Sequence, residues 1–320
     1  MQKFDWIYTI RSHILMLKIM GLHIKSDEKP ASNLYKMYTF FTVVVVMGGH
    51  NLFQTVNIYF FYKDLESVTP IIVVASSCIL VSVKIHFFQR NMNIINNLIL
   101  SLNCDIFQPK TEKQRRAAGL VLYFFKFVYL SFFSMAGVAS SAWLLIPVLS
   151  NKTQDKQLPF SAWYPYDSTT SPLYEFTYIY QCIAIFYLVT TVVHIDTLIL
   201  FLMMYITIQC DDLCDDLKNL RHDLYNINER VIACVQHHQA ILSSAVNSNK
   251  FFDKMILGQF VSSTVAFAVN MFQLSLVANL GSEGVNSVFN AMAVITQIFI
   301  YCWFGEEVQI KVGIIDVTDE

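Results

Sequence analysis

Residues 285–308 read VNSVFNAMAVITQIFIYCWFGEEV. From Val288 to Phe304 there is no formal charge, and Gly305, Glu306 and Glu307 then end the apolar run. Such a stretch, closed by a glycine and two carboxylates, predicts a membrane-spanning helix leaving the bilayer. The residues after Val308 are too few for a further span of about 20 residues, so this helix is expected to be the last.

Outward from that helix the whole chain is apolar. Its 320 residues are 55% hydrophobic and 14% charged, whereas soluble proteins carry about a quarter charged residues. Mean hydropathy is +0.46. An ordinary core does not account for so few charges, so the fold class is an all-α polytopic membrane protein. Six segments are long enough to span, at 37–61, 68–88, 117–149, 172–208, 254–280 and 285–304. They are read as helices, because isolated strands cannot satisfy their backbone in lipid. The third and fourth are too long for a hydrocarbon core of about 30 Å. The surplus of the fourth, 197–208, must pack on other protein.

Charge placement gives the orientation. Sixteen Lys and Arg fall before the first span, in the second gap, in the fourth gap and in the tail, and only Lys63, Lys152 and Lys156 fall in the gaps between. Positive charge stays cytoplasmic, so the amino terminus is expected inside. The single glycosylation sequon, at Asn151, then lies outside. None of the seven cysteines does, so no extracellular disulfide framework is expected. The resulting domain plan is a cytoplasmic amphipathic segment at 1–36, a six-helix transmembrane bundle at 37–305 with a cytoplasmic anchor part at 209–253, and a short cytoplasmic tail at 306–320.

Individual polar residues are read against that plan. Arg11, His13 and Lys18 interrupt the run 6–24, which suits an amphipathic helix along the inner leaflet better than a span or a signal peptide. Gly48 and Gly49 allow close helix approach, and His50 beside them is expected to hydrogen-bond a neighbouring helix. Lys84 and His86 are expected to snorkel to the inner headgroups, and Asp196 to sit at the inner interface. Cys210, Cys214, His222, Cys234, His237 and His238 offer zinc-type ligands. Their spacing fits no closed motif and four aspartates surround the first two, so no cofactor or metal is expected. No Gly-rich phosphate loop, HExxH or GxSxG occurs, and an enzyme is not expected.

Three short stretches carry a resemblance. LPFSAWYPYD at 158–167, QHHQAIL at 236–242 and YCWFGEEV at 301–308 are similar, in order and placement, to motifs of the insect odorant receptor family. An inside amino terminus fits that family too. The resemblance implies a subunit that binds a small volatile organic ligand. It implies assembly with an odorant co-receptor in a hetero-tetramer that gates a cation channel in the plasma membrane of sensory neurons. Membrane lipid is the remaining partner, and no nucleic acid is expected. Family members continue into a long seventh segment, and Glu306 stands where Asn is usual. The chain is therefore expected to be truncated before that span, retaining odorant binding with conduction in question.

In this family the ligand cavity lies in the outer half of the bundle. Candidate residues on shared helical faces there are Ile72 and Ser76; Met135, Val138 and Ala139; Tyr174, Tyr178 and Gln181; Phe267, Met271 and Leu274; and Phe289, Met292 and Thr296. Tyr178 and Gln181 could orient a carbonyl or hydroxyl, and the methionines adapt to varied shapes. For each residue the alternative is ordinary interhelical packing. Trp163, Tyr164 and Tyr166 are expected at the outer interface or as a lid. The rival readings are a gustatory receptor of the same superfamily and a multi-span transporter. A transporter would show an internal repeat and charges at mid-membrane.

Overall fold

A computed structural model describes residues 3–22, 33–61, 65–149, 157–220, 227–276 and 282–318. Among them every regular element is helical: α1 (Trp6–Ile19), α2 (Asn33–Phe41), a π-helical segment (Thr42–Gly48), α3 (Gly49–Phe61), α4 (Leu65–Arg90), α5 (Met92–Ser101), a short 3-10 turn (Asp105–Phe107), α6 (Glu112–Leu149), α7 (Leu173–Leu220), α8 (Ile227–Leu276) and α9 (Ser282–Thr318). Six of these stretches are long and apolar enough to cross a membrane. Asn151 lies outside the described residues.

α1 begins where the Asp5 carboxylate accepts from the Ile7 and Tyr8 amides at 3.1 and 3.3 Å, an N-cap that satisfies otherwise orphaned donors. It ends in a Schellman turn, with Leu22 N donating to Leu17 O at 2.8 Å and Gly21 N to Lys18 O at 3.2 Å. Gly21 takes φ +87° there, a conformation that favours glycine. The helix is amphipathic, but its buried face of Trp6, Ile10, His13 and Leu17 lies against protein. Trp6 donates through Nε1 to Phe107 O at 3.2 Å, and His13 Nδ1 meets His194 Nδ1 of α7 at 3.0 Å. Two polar contacts of this kind explain why the helix packs on the bundle.

α7 is the central strut, continuous over 48 residues and about 72 Å long at 1.5 Å per residue. Residues 197–208 are buried apart from half-buried Thr207, as their surplus length required. One end of the bundle is closed by the loop 157–172, the other by extensions of α7 and α8 with α5 and the start of α6. At this extension end Lys110 and Lys113 reach Asp216 and Asp215, each at 2.5 Å, and His237 Nε2 meets Gln209 Oε1 at 3.0 Å. The His-containing motif thus faces α7.

Three local expectations change. Gly305 and Glu306–Glu307 do not end the last helix: α9 runs on to Thr318, and Lys311 pairs with Asp211 at 2.7 Å. Losing hydrophobicity ends a span, not the backbone ladder. The pattern NMNIINNLILSLN at 91–103 suggests that the helix of the second span continues past the membrane, but α4 stops at Arg90; a turn at Asn91 redirects the chain so that Ile95, Leu98 and Ile99 of α5 are buried. Of the two glycines before His50, only Gly49 marks a close approach: a Cβ there would lie 2.8 Å from the Tyr180 hydroxyl. That hydroxyl donates to Val45 O at 3.0 Å, inside the π-helical segment. His50 bonds within its own helix, to Gln54 at 3.1 Å.

Candidate ligand-binding site

A cavity of about 170 Å³ lies between α4, α6, α7, α8 and α9. Each helix lends one stripe at helical spacing: Ser77, Leu80 and Val81; Phe132, Ala136 and Ala139; Leu188, Val192 and Val193; Gln259, Ser263 and Ala266; Asn290, Ala293, Val294 and Gln297. The hollow exists because alanine and serine stand at positions where leucine would fill it. Its walls are mostly apolar with a few convergent polar groups, the usual composition of a small-molecule site.

The polar groups form a closed ring. Lys84 Nζ of α4 donates to Asp196 Oδ1 of α7 and to Gln259 Oε1 of α8 at 2.5 Å. Gln259 Nε2 donates to Gln297 Oε1 of α9 at 2.8 Å, and Gln297 Nε2 donates back to Asp196 Oδ2 at 2.5 Å. Lys84 and Asp196 are 0% and 1% exposed. The ion pair itself sits behind the cavity, and its two glutamine partners form part of the wall.

This corrects the reading of both charges. Lys84 does not snorkel and Asp196 does not sit at an interface. An ammonium and a carboxylate buried together, with amides completing their hydrogen bonds, avoid the cost that each would incur alone. The available signal was a charge of each sign within apolar spans, which by default marks function.

The expected pocket residues are distributed as follows. Ala139 lines the cavity. Ser76 is half-buried and donates to Val73 O at 2.9 Å, beside Ser77, which lines it. Ile72, Met135, Leu274 and Thr296 are half-buried, and Val138 is exposed. Phe267, Met271, Phe289 and Met292 are exposed. On α8 and α9 the cavity stripe falls about one residue round the helix from the large side chains. In lipid a large apolar side chain gains little by facing inward, while small and polar ones line the interior.

Tyr174, Tyr178 and Gln181 serve the loop end. Tyr174 donates to Gln157 O at 3.1 Å and Tyr178 to Leu144 O at 2.6 Å. Gln181 accepts from Phe160 N at 3.0 Å and donates to Phe160 O at 2.9 Å and Tyr164 Oη at 3.1 Å. Phe160 stacks on Trp143 with centroids 5.4 Å apart, and Trp163 stacks on Phe60 at 5.9 Å. Burial raises the Tyr164 phenol to about 12, so it stays neutral. The Leu-Pro-Phe…Trp-Tyr-Pro-Tyr motif is thereby a plug fixed to α3, α6 and α7. In the last motif Tyr301 and Phe304 are buried while Cys302 and Trp303 are exposed.

Residues 65–312 match the 7tm Odorant receptor family. Odorant receptor 82a of Drosophila melanogaster is 24% identical over 158 residues, 48% of this chain and 40% of that protein. Odorant receptor 46a, isoform A, of the same fly is 22% identical over 182 residues, 55% of this chain and 47% of that protein. The matched stretches thus span less than half the length of these relatives. The insect olfactory receptor OR5 from Machilis hrabei superposes with TM-score 0.84 at 20% identity, covering 96% of this chain and 82% of that one. Its complex with eugenol gives the same TM-score at 19% identity.

Proposed function

The chain belongs to the 7tm odorant receptor family, and on that premise we propose that it binds a small volatile ligand in the cavity floored by Gln259 and Gln297. With a co-receptor subunit in a hetero-tetramer, it gates a cation channel in the plasma membrane of sensory neurons. The observation that carries this reading is the hollow itself: mostly apolar, walled by five helices, four of which are joined through the Lys84–Asp196 pair and its two glutamines. Occupancy of such a hollow bears on α4, α7, α8 and α9 together, so ligand binding has a direct mechanical route to helix position. A related receptor's complex with eugenol supports the same ligand class.

The proposed orientation keeps the amino terminus and the α7–α8 extension cytoplasmic, with the 158–167 plug outside. Asn151 is proposed as a glycan acceptor on that outer side. Among the expected pocket residues, Ala139 is placed in the cavity wall. Ile72, Ser76, Met135, Val138, Thr296, Phe267, Met271, Phe289 and Met292 are assigned to its surroundings, and Tyr174, Tyr178 and Gln181 to the plug above it.

The test is co-expression with the odorant co-receptor and recording of currents evoked by a panel of volatile alcohols, esters, aldehydes and aromatics. Ala139→Phe and Ala266→Phe, which fill the hollow, abolish every response while surface expression persists. Phe127→Leu, on the exposed face of α6, leaves responses unchanged. Full responses from both filled variants would contradict this assignment.

A further inference from the structure

The ring leaves one hydroxyl proton unspent. Ser263 is 2% exposed and lines the cavity. Its Oγ accepts from Gln259 Nε2 at 2.8 Å, and no acceptor for its own proton is present among the described residues. The neighbouring hydroxyls differ. Ser77 donates to Val73 O at 3.0 Å and Ser140 to Ala136 O at 2.7 Å, so both are spent on their own helices. Ser262 also borders the hollow but is half-buried and stands outside the ring. Gln259 uses its carbonyl on Lys84 and its amide nitrogen on Ser263 and Gln297. A buried donor without a partner costs free energy that an acceptor on a ligand would recover.

The wall is also closed to ions. Lys84 and Asp196 neutralise each other behind it, and neither borders the cavity. An ammonium or carboxylate ligand would meet no counter-charge there and would remain buried and unpaired. Size sets a further limit. The volume of about 170 Å³ is slightly larger than an engineered cavity of about 150 Å³ that binds benzene.

We propose that the cavity selects an uncharged ligand, about the size of a singly substituted benzene ring, that carries one hydrogen-bond acceptor, and that Ser263 is the donor that reads it. This rests on the cavity being the ligand site. The polarity of Gln259 strengthens the preference, because its amide donates to Ser263 Oγ and makes that hydroxyl a better donor. Aldehydes, ketones and ethers therefore fit, while hydrocarbons of equal size leave the proton unpaired.

The experiment is equilibrium dialysis of the full chain in lipid nanodiscs against toluene, benzaldehyde, benzoate and benzylammonium. Benzaldehyde binds about ten-fold more tightly than toluene, the worth of one neutral hydrogen bond, and the two ions do not bind measurably. Ser263→Ala removes the benzaldehyde advantage and leaves toluene unchanged. Ser263→Thr, which restores the donor, restores the advantage, so a folding defect in one variant does not decide the result. If Ala266→Phe abolishes binding of both ligands yet the wild type prefers neither, the site stands and the proposed chemistry falls. If Ala266→Phe leaves both unaffected, or if no ligand binds, the cavity reading falls and this inference falls with it. Retention of the ten-fold preference in Ser263→Ala would overturn the role of that hydroxyl alone.

Discussion

α6 and α7 are both long apolar helices, yet the most apolar stretch of α7 is 83% buried and that of α6 only 11%. Over that stretch α7 is packed on nearly all sides, although Phe176, Ile179, Ile183 and Phe186 before it are exposed, whereas α6 presents Leu120, Tyr123, Phe127 and Leu130 outward. Hydropathy does not separate them, because lipid tails and leucine side chains are equally apolar neighbours. Polar residues do. Gln181, His194, Asp196 and Gln209 are all buried along α7, and each meets a polar partner on another element. Lys126, the charge within the apolar part of α6, is exposed. The position of a helix in this bundle follows its polar groups.

The sharpest contrast is expected from one substitution on each helix. Asp196→Asn leaves the Lys84 ammonium buried without its counter-ion and lowers stability by about 3–5 kcal/mol, read as a fall in thermal midpoint in detergent. Lys126→Met on α6 changes stability by less than about 0.5 kcal/mol. Equal shifts in the two variants would erase the distinction between the helices.

A smaller effect is expected at the loop end of α7. Gln181→Leu removes all three hydrogen bonds to the 158–167 plug and costs about 1–3 kcal/mol. Amide exchange in residues 158–166 should accelerate while that of 195–205 stays protected. Acceleration spread evenly through α7 would show that the plug is not a separate unit.

The smallest is a pH response of α1. Burial first, and then His194, hold the His13 imidazole down at about 4, and the Tyr129 ring packs on it at 4.4 Å. The unfolded segment binds its proton near 6.5, so the stabilisation is complete above that value. It is lost as pH falls from 6.5 toward 4. Acidification from pH 7.5 to 5.5 should weaken α1 docking by about 1.4 kcal/mol, seen as faster amide exchange in 6–19. His13→Asn should flatten the profile, and an unchanged rate in the wild type would contradict the assignment.

Much of the architecture was legible in the sequence. Uninterrupted apolar length identified six spans, and the excess length of residues 197–208 required protein cover that α7 indeed has. The directions of side chains were not legible. Phe289 and Met292 are expected in the pocket because they share a helical face in the outer half, yet both are exposed, while Asn290, Ala293 and Gln297 on the adjoining face line the hollow. Lys84 was assigned to headgroups because it stands near a segment end. Only the approach of Asp196, Gln259 and Gln297 from three other helices shows why it stays inside. Pairing across 112 residues of sequence leaves no periodic trace in a single chain.

The central claim is that the Lys84–Asp196 pair, completed by Gln259 and Gln297, holds four helices around the cavity. A double-mutant cycle with Lys84→Met and Asp196→Leu, read as unfolding free energy in nanodiscs, tests it most directly. Each single variant should be strongly destabilised and the double should recover most of the loss, giving a coupling of at least about 2 kcal/mol. Single losses that add within about 0.5 kcal/mol would contradict it.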